Sequence, residues 1–418
     1  MIKHSEQREQ LVEAVKRFAD VITSVKLCSI LLYIIVGAWI VYRLIMATML
    51  GRFFVELPFD EQKYLRQAML AIVCYSELCR IWRGEYGKKD AIAIVLVVLL
   101  AWGFHVRGNI AYLYDTIAVF AMRHEDFRRL TWFGVIVLLG CTVITFVACA
   151  AGVVPDIVTP GSRVRHFLGF VYCLFGPQVL FTVTCAICWL LDGRMKWWIL
   201  VLLLVSNVVL FILTDSRLSF VLCMAVIAIA GARKIWPKGK AWRVIAQIAS
   251  WGFVIVAILG VVVVGVYSAQ RDAGEHWLDE ANAASGERIL LTYEGVTKHG
   301  IEPFGQNVVW IGNGKDVYGN GDPNIAQYNY VDNLIFHSLI ERGMVYTLGL
   351  IVLYTLAARK AVREKEYMLS IVLAVLAAHC FIDDLALQLC FNTLLFVCGS
   401  YLVTGASSGR FRNGRHAA

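Results

Sequence analysis

Apolar runs broken by short clusters of Lys and Arg recur along almost the whole chain, and that alternation leaves few folds open to it. A helix of about 17 to 25 apolar residues crosses a hydrocarbon core of about 30 Å. Twelve segments suit that role: 27–50, 68–81, 91–105, 108–122, 130–153, 167–191, 197–214, 217–232, 244–268, 343–358, 366–382 and 386–404. Hydrophobic residues make up 59% of the 418 and charged ones 17%, where a soluble domain carries about 25% charged residues. The expected fold is therefore all-α, a polytopic membrane protein of about twelve transmembrane helices.

Lys and Arg concentrate in cytoplasmic loops, so their distribution orients the chain. With the N-terminus inside, about 26 of the 39 basic residues fall inside and about 12 outside. The inside clusters include 80–89, 123–129, 233–243, 359–365 and 410–415, which places both termini in the cytoplasm. The net charge of +8 then describes a basic inner face beside anionic lipid and calls for no nucleic-acid partner. Residues 1–26 hold five basic residues and no early apolar stretch, which argues against a cleaved signal peptide. Leu11, Val15, Phe18, Ile22 and Val25 recur at helical spacing, as in an amphipathic helix on the inner surface. The expected order is this helix, nine spans over 27–268, an external segment over 269–342, three spans over 343–404 and a basic tail over 405–418. The twelve Cys are scattered, most of them inside apolar runs, and read as small buried hydrophobes.

The segment 269–342 is too long for a turn and too rich in aliphatic and aromatic residues for disorder. Leu290, Leu291, Tyr293 and Val296 have helical spacing, and Pro303 with Gly305 marks a turn. A partly helical external cap is expected. Residues 313–324 are rich in Asn, Asp and Gly, but without the spacing of a calcium loop they read as turns. No cluster has convincing metal-ligand spacing, so neither metal nor other cofactor is expected.

Three places hold polar chemistry on the external side. Thr214-Asp215-Ser216-Arg217 joins two spans, and a guanidinium near hydrocarbon calls for an explanation: snorkelling, pairing with Asp215, or binding a lipid-linked phosphate. Arg288 opens the helix of the cap, as a surface ion pair or as a second cation for the same phosphate. Tyr330-Val331-Asp332-Asn333 with His337 follows; on one helix Asp332, Phe336 and His337 stand close, so Asp332 or His337 suits a base for a sugar hydroxyl. Trp310, Tyr318, Tyr328 and Tyr330 suit stacking on sugar faces or packing of the cap. Asp383-Asp384 reads as a solvated helix end.

Ser216-Arg217 at the start of a span, Arg288 followed by Pro303-Phe304-Gly305 in a large external loop, and Asp332-Asn333 ahead of Gly343 together resemble the bacterial oligosaccharide repeat-unit polymerases of the Wzy type and the related O-antigen ligases. The resemblance covers about residues 197–360. It implies a GT-C-like fold and an inverting, metal-independent glycosyltransferase. The substrates implied are undecaprenyl-diphosphate-linked oligosaccharides on the outer face of the cytoplasmic (inner) membrane, and a flippase and a chain-length regulator are the partners such a reaction implies. Arg217, Arg288, Asp332 and His337 would be catalytic, and Asp215, Ser216, Trp310, Tyr330 and Asn333 would bind substrate. Asp332 stands where the ligases have a His, which favours the polymerase. The alternatives are a ligase passing finished glycan to another acceptor, or a flippase or other transporter, although no inverted repeat marks two transporter halves.

Overall fold

The computed structural model describes residues 13, 21, 23–106, 110–159, 163–237 and 239–404. The basic tail, and nearly all of the expected N-terminal helix, lie outside them. The chain is an all-α membrane protein. Its helices are α1 (Val25–Met46), a four-residue α2 (Arg52–Val55), α3 (Glu61–Trp82), α4 (Lys88–Val106), α5 (Ile110–Ala121) and α6 (Phe127–Ala150). A two-stranded hairpin, β1 (Val158–Thr159) with β2 (Arg165–His166), precedes α7 (Phe175–Leu191), α8 (Trp197–Thr214), α9 (Arg217–Ile235), α10 (Ala241–Ala249) and α11 (Gly252–Asp272). Then come α12 (Asp279–Ala284), α13 (Arg288–His299), α14 (Leu334–Glu341), α15 (Met344–Arg363), α16 (Tyr367–His379) and α17 (Ser400–Thr404). Among the described residues seven helices are long and apolar enough to cross a membrane: α1, α6, α7 with its 3-10 extension to Arg194, α8, α9, α11 and α15.

Local chemistry starts several of these helices where the charge clusters end. The side chains of Ser24, Asp60 and Asp126 accept hydrogen bonds from the backbone N–H of Leu27, Lys63 and Arg129, which satisfies donors a helix start leaves open. The helices pack on a core of fully buried Trp39, Trp189, Tyr354, Tyr401 and Phe396, while apolar side chains of α8 such as Val201, Val205 and Ile212 stay exposed, as on a lipid-facing surface.

Two charged groups inside apolar stretches have tight polar partners, because an unpartnered buried ion is costly. Arg123 holds both oxygens of Glu77 at 2.8 Å and Asp90 at 3.0 Å, clamping α3, α4 and the end of α5. Asp115 accepts from the Trp39 indole at 2.7 Å and from the Leu389 backbone at 3.2 Å.

Three expected spans differ in the structure. Helix begins at Phe175 and not at 167, because the backbone of the preceding stretch pairs with the end of α1: Met49 N–H donates to Gly169 O at 2.8 Å, and Val171 N–H to Ala47 O at 3.1 Å. The expected span 244–268 is two helices broken at Ser250-Trp251, and α11 runs on to Asp272. The segment 386–404 is no continuous helix but 3-10 turns at Leu385–Leu387 and Thr393–Cys398 followed by α17. Non-helical backbone is tolerated at membrane depth only when enclosed by protein, and here residues 385–387 and 389–397 are buried. The Asn392 side chain donates to Ala386 O and accepts from Leu394 N–H, and Asp115 takes the Leu389 amide.

In the cap, α13 spans the stretch whose apolar spacing implies a helix. The Pro303–Gly305 turn lies against the chain where α15 begins: Met344 and Val345 N–H groups donate to Glu302 O and Pro303 O, each at 3.0 Å. Gly305 (φ +77°) and Gly343 (φ +90°) sit in the left-handed region, and a Cβ on either would stand within 2.3 Å of the opposing backbone, so no side chain fits at that contact. Two distant motifs of the sequence thus meet.

Candidate active site

A cavity of about 550 Å³ opens between the cap and the helix ends beneath it, within the range of small-molecule sites. Tyr42, Arg43 and Met46 of α1 line one side, with Gln62 of α3 and Tyr172 and Phe175 at the entry to α7. Arg288, Trp310, Tyr328, Tyr330 and Asp332 come from the cap, and Asp383, Asp384, Gln388 and Cys390 from the connection after α16. Every one of these belongs to an end that the charge asymmetry assigns to the outside.

Arg288 opens α13 after Glu287, itself left-handed at φ 65°, and its Nε donates to Asp332 Oδ2 at 2.7 Å. Its Nη2 has no hydrogen-bond partner among the described residues. Burial pushes the Asp332 carboxyl above the ordinary carboxylate range, although Arg288 pulls it the other way. Burial alone would lower the Arg288 pKa, but the charge and hydrogen bond of Asp332, together with the nearby Tyr172 and Asp383, outweigh it and the net shift is upward. The pair is thus a firmly charged guanidinium beside a carboxylate that takes a proton more readily than usual.

Aromatic rings form the upper wall. Trp310 meets Tyr330 edge-on at 6.1 Å and stacks on His337 at 4.8 Å, while the Tyr330 hydroxyl donates to Asp384 Oδ2 at 2.8 Å. Asp383 and Asp384 form part of the wall and are not a solvated helix end; burial and the neighbouring Asp384 push the Asp383 carboxyl well up. The turns of 313–324 are built by Asp316, which accepts from the Tyr318 and Asn320 amides, and by Asp322, which accepts from Asn324. Asn313, Gly314 and Asp322 also reach the cavity. Among the described residues no three His, Cys, Asp or Glu side chains stand together to share a metal.

Several expected site residues lie elsewhere. Arg217 does not line the cavity: its side chain is 71% exposed, with Nε 3.2 Å from Asp215 Oδ1. Asp215 ends α8 in a left-handed conformation and is also bound by Arg163 of the hairpin, which holds this corner at the surface and turns Arg217 to solvent. Ser216 is buried with its hydroxyl 3.0 Å from that of Thr214. Asp332 is not on the helix with His337, because α14 starts only at Leu334. Asn333 caps that helix, accepting from Ile335 and Phe336 N–H and donating to Phe381 O, which gives it a structural task at the start of α14.

His337 is buried, with Nδ1 3.0 Å from Val331 O and Nε2 3.0 Å from Glu341 Oε2. Burial opposes its protonation, but Asp384 and Glu341 outweigh burial and raise its pKa. Both nitrogens thus face acceptors of the cap, which gives the ring a part in holding it together. The sequence reading missed Arg43, Tyr172 and Gln388. For Arg43 a signal existed: it is a basic residue well inside an expected apolar span, a place where a charge is functional by default. Comparison of the chain with protein-family models, with curated proteins and with solved structures finds no match.

Proposed function

We propose that the protein polymerises oligosaccharide repeat units carried on undecaprenyl diphosphate, as Wzy-type polymerases do, by inverting and metal-independent glycosyl transfer at the outer face of the cytoplasmic membrane. The observation that carries this reading is the Arg288–Asp332 pair, held by the cap over a cavity walled with Trp310, Tyr328 and Tyr330. Aromatic faces suit sugar rings, and a guanidinium suits a diphosphate. In the reaction an acceptor hydroxyl loses its proton to the Asp332 carboxylate as its oxygen bonds to the anomeric carbon of the donor glycan. The bond from that carbon to the diphosphate breaks, the electron pair leaves with the lipid diphosphate, and Arg288 stabilises the charge that develops there. The acceptor keeps its own lipid, so the product remains anchored. Arg217, exposed at the start of α9, is free to meet an arriving lipid-linked substrate.

The twelve-span layout and cytoplasmic termini belong to the same reading. Besides the basic clusters, six of the eight exposed tryptophans among the described residues (Trp82, Trp132, Trp197, Trp198, Trp236 and Trp251) lie at ends assigned to the inside, where aromatic side chains anchor spans at an interface, while Trp102 lies near an outer end and Trp277 in the cap. A cysteine replacing exposed Tyr318 should react with an impermeant maleimide in intact cells; reaction only after permeabilisation would reverse the orientation.

Deleting the gene should leave single lipid-linked repeat units and no polymer. Finished polymer retained on the lipid would instead assign the ligase activity. Repeat units confined to the inner leaflet would assign a flippase.

A further inference from the structure

We infer that Arg43 is the second cation of the diphosphate site, sharing one cavity with Arg288, with Gln388 as its positioning residue. This rests on the polymerase reading and names how the leaving group is held. Arg43 sits in the last turn of α1, one turn before the chain leaves the helix, and lines the same cavity as Arg288. Its Nη2 donates to Gln388 Oε1 at 3.0 Å, and the guanidinium lies beside the Cys390 thiol and 5.8 Å from the Trp39 ring. Among the described residues no carboxylate comes within ion-pair distance of it. The nearby Asp115 is committed to Trp39 and to the Leu389 amide.

The contrast with Arg123 and Arg233 supports a ligand. Arg123 and Arg233 each hold a carboxylate with two nitrogens at 2.7 to 2.8 Å. Arg43 has a neutral amide in that place, so its charge is oriented without being neutralised, and no nitrogen of it is sealed away without a partner. Gln388 in turn stands on the broken segment after α16, whose position is fixed by the Asp115 bond to Leu389. A continuous helix over 386–404 would not leave that amide to be bound, so the break and the orientation of Arg43 belong to one arrangement. A diphosphate with one phosphoryl group at Arg288 and the other at Arg43 suits two cations that line one cavity from different elements. A single phosphate uses only one of them, so the site selects diphosphate carriers over monophosphates.

The test is binding to the purified full chain in detergent of a short-chain polyprenyl diphosphate, of the matching monophosphate and of phosphatidylglycerol. Wild type should bind the diphosphate at least tenfold more tightly than the monophosphate. Arg43→Gln should erase that preference, Arg43→Lys should reduce it several-fold, and Gln388→Ala should weaken diphosphate binding while leaving the monophosphate nearly unchanged. An unchanged thermal melting transition shows that the variants fold, and Arg43→Lys keeps the test open should the glutamine variant not fold. If Arg288→Gln weakens diphosphate binding and Arg43→Gln leaves it within twofold, Arg43 has no such role and the polymerase reading stands. Phosphatidylglycerol binding as tightly as the diphosphate would make Arg43 a headgroup site and overturn the inference. No diphosphate binding by wild type would overturn the inference and the polymerase reading together.

Discussion

Arg288→Gln should abolish polymer and lower turnover by about 100- to 1000-fold, which is the usual consequence of removing one preorganised group that stabilises a developing negative charge. The loss should fall on kcat, because the charge on the leaving diphosphate grows as the glycosidic bond breaks. Arg288→Lys keeps the charge and loses the planar fork, so it should restore only a minor part. The variant carries a second signature: the Asp332 carboxyl would keep its burial and lose its cation, so the pH at which residual activity falls should move upward from that of wild type. The Arg43→Gln and Arg288→Gln effects should not add in the double variant, since groups that hold one ligand act as a unit. Rates measured on lipid-linked repeat units in proteoliposomes would check each point. Full-length polymer made by Arg288→Gln would remove the residue from the mechanism.

The helices were legible because crossing hydrocarbon demands long apolar segments, and composition reports that demand directly. What composition does not report is whether an apolar segment keeps its own hydrogen bonds. Residues 386–404 are as apolar as a helix of that length would be, yet their backbone is satisfied by Asp115 and Asn392, which come from outside the local pattern. The stretch before α7 fails for the same reason, since its partners lie at the end of α1. In the site, Arg288 and Asp332 were readable as polar residues in a loop too long to be a turn. Their pairing was not, because it depends on α14 starting only after Asn333, which leaves Asp332 in extended chain facing Arg288. His337, on α14, is turned to Glu341, a contact that helical spacing alone does not announce. Arg217 has the local look of a site residue, and only the hairpin that brings Arg163 to Asp215 explains why it faces solvent. Arg43 belongs to no motif, and what gives it meaning is the cavity assembled from residues more than two hundred positions away.

Asp332→Asn should lower turnover by about 100- to 10,000-fold, the range for loss of a general base, while keeping the neutral side chain as an acceptor for Arg288. The pH profile separates this role from a merely structural one. A base acts in its deprotonated form, so wild-type activity should fall as the pH drops through the Asp332 pKa. Because burial raises that pKa, the acid limb should stand above the ordinary carboxylate value of about 4. In Asp332→Asn the remaining activity should lose this limb and run flat across the same interval. Asp332→Glu, which keeps the acid and moves it by one methylene, should retain the limb at reduced rate. His337→Gln gives the contrast: as His337 holds the cap, its loss should lower the melting temperature and keep the acid limb, moved upward because the His337 charge also holds the Asp332 carboxyl down. Asp332→Asn within threefold of wild type, with the limb unchanged, would make Asp332 a partner of Arg288 only and send the search for the base to Asp383 and Asp384 across the cavity.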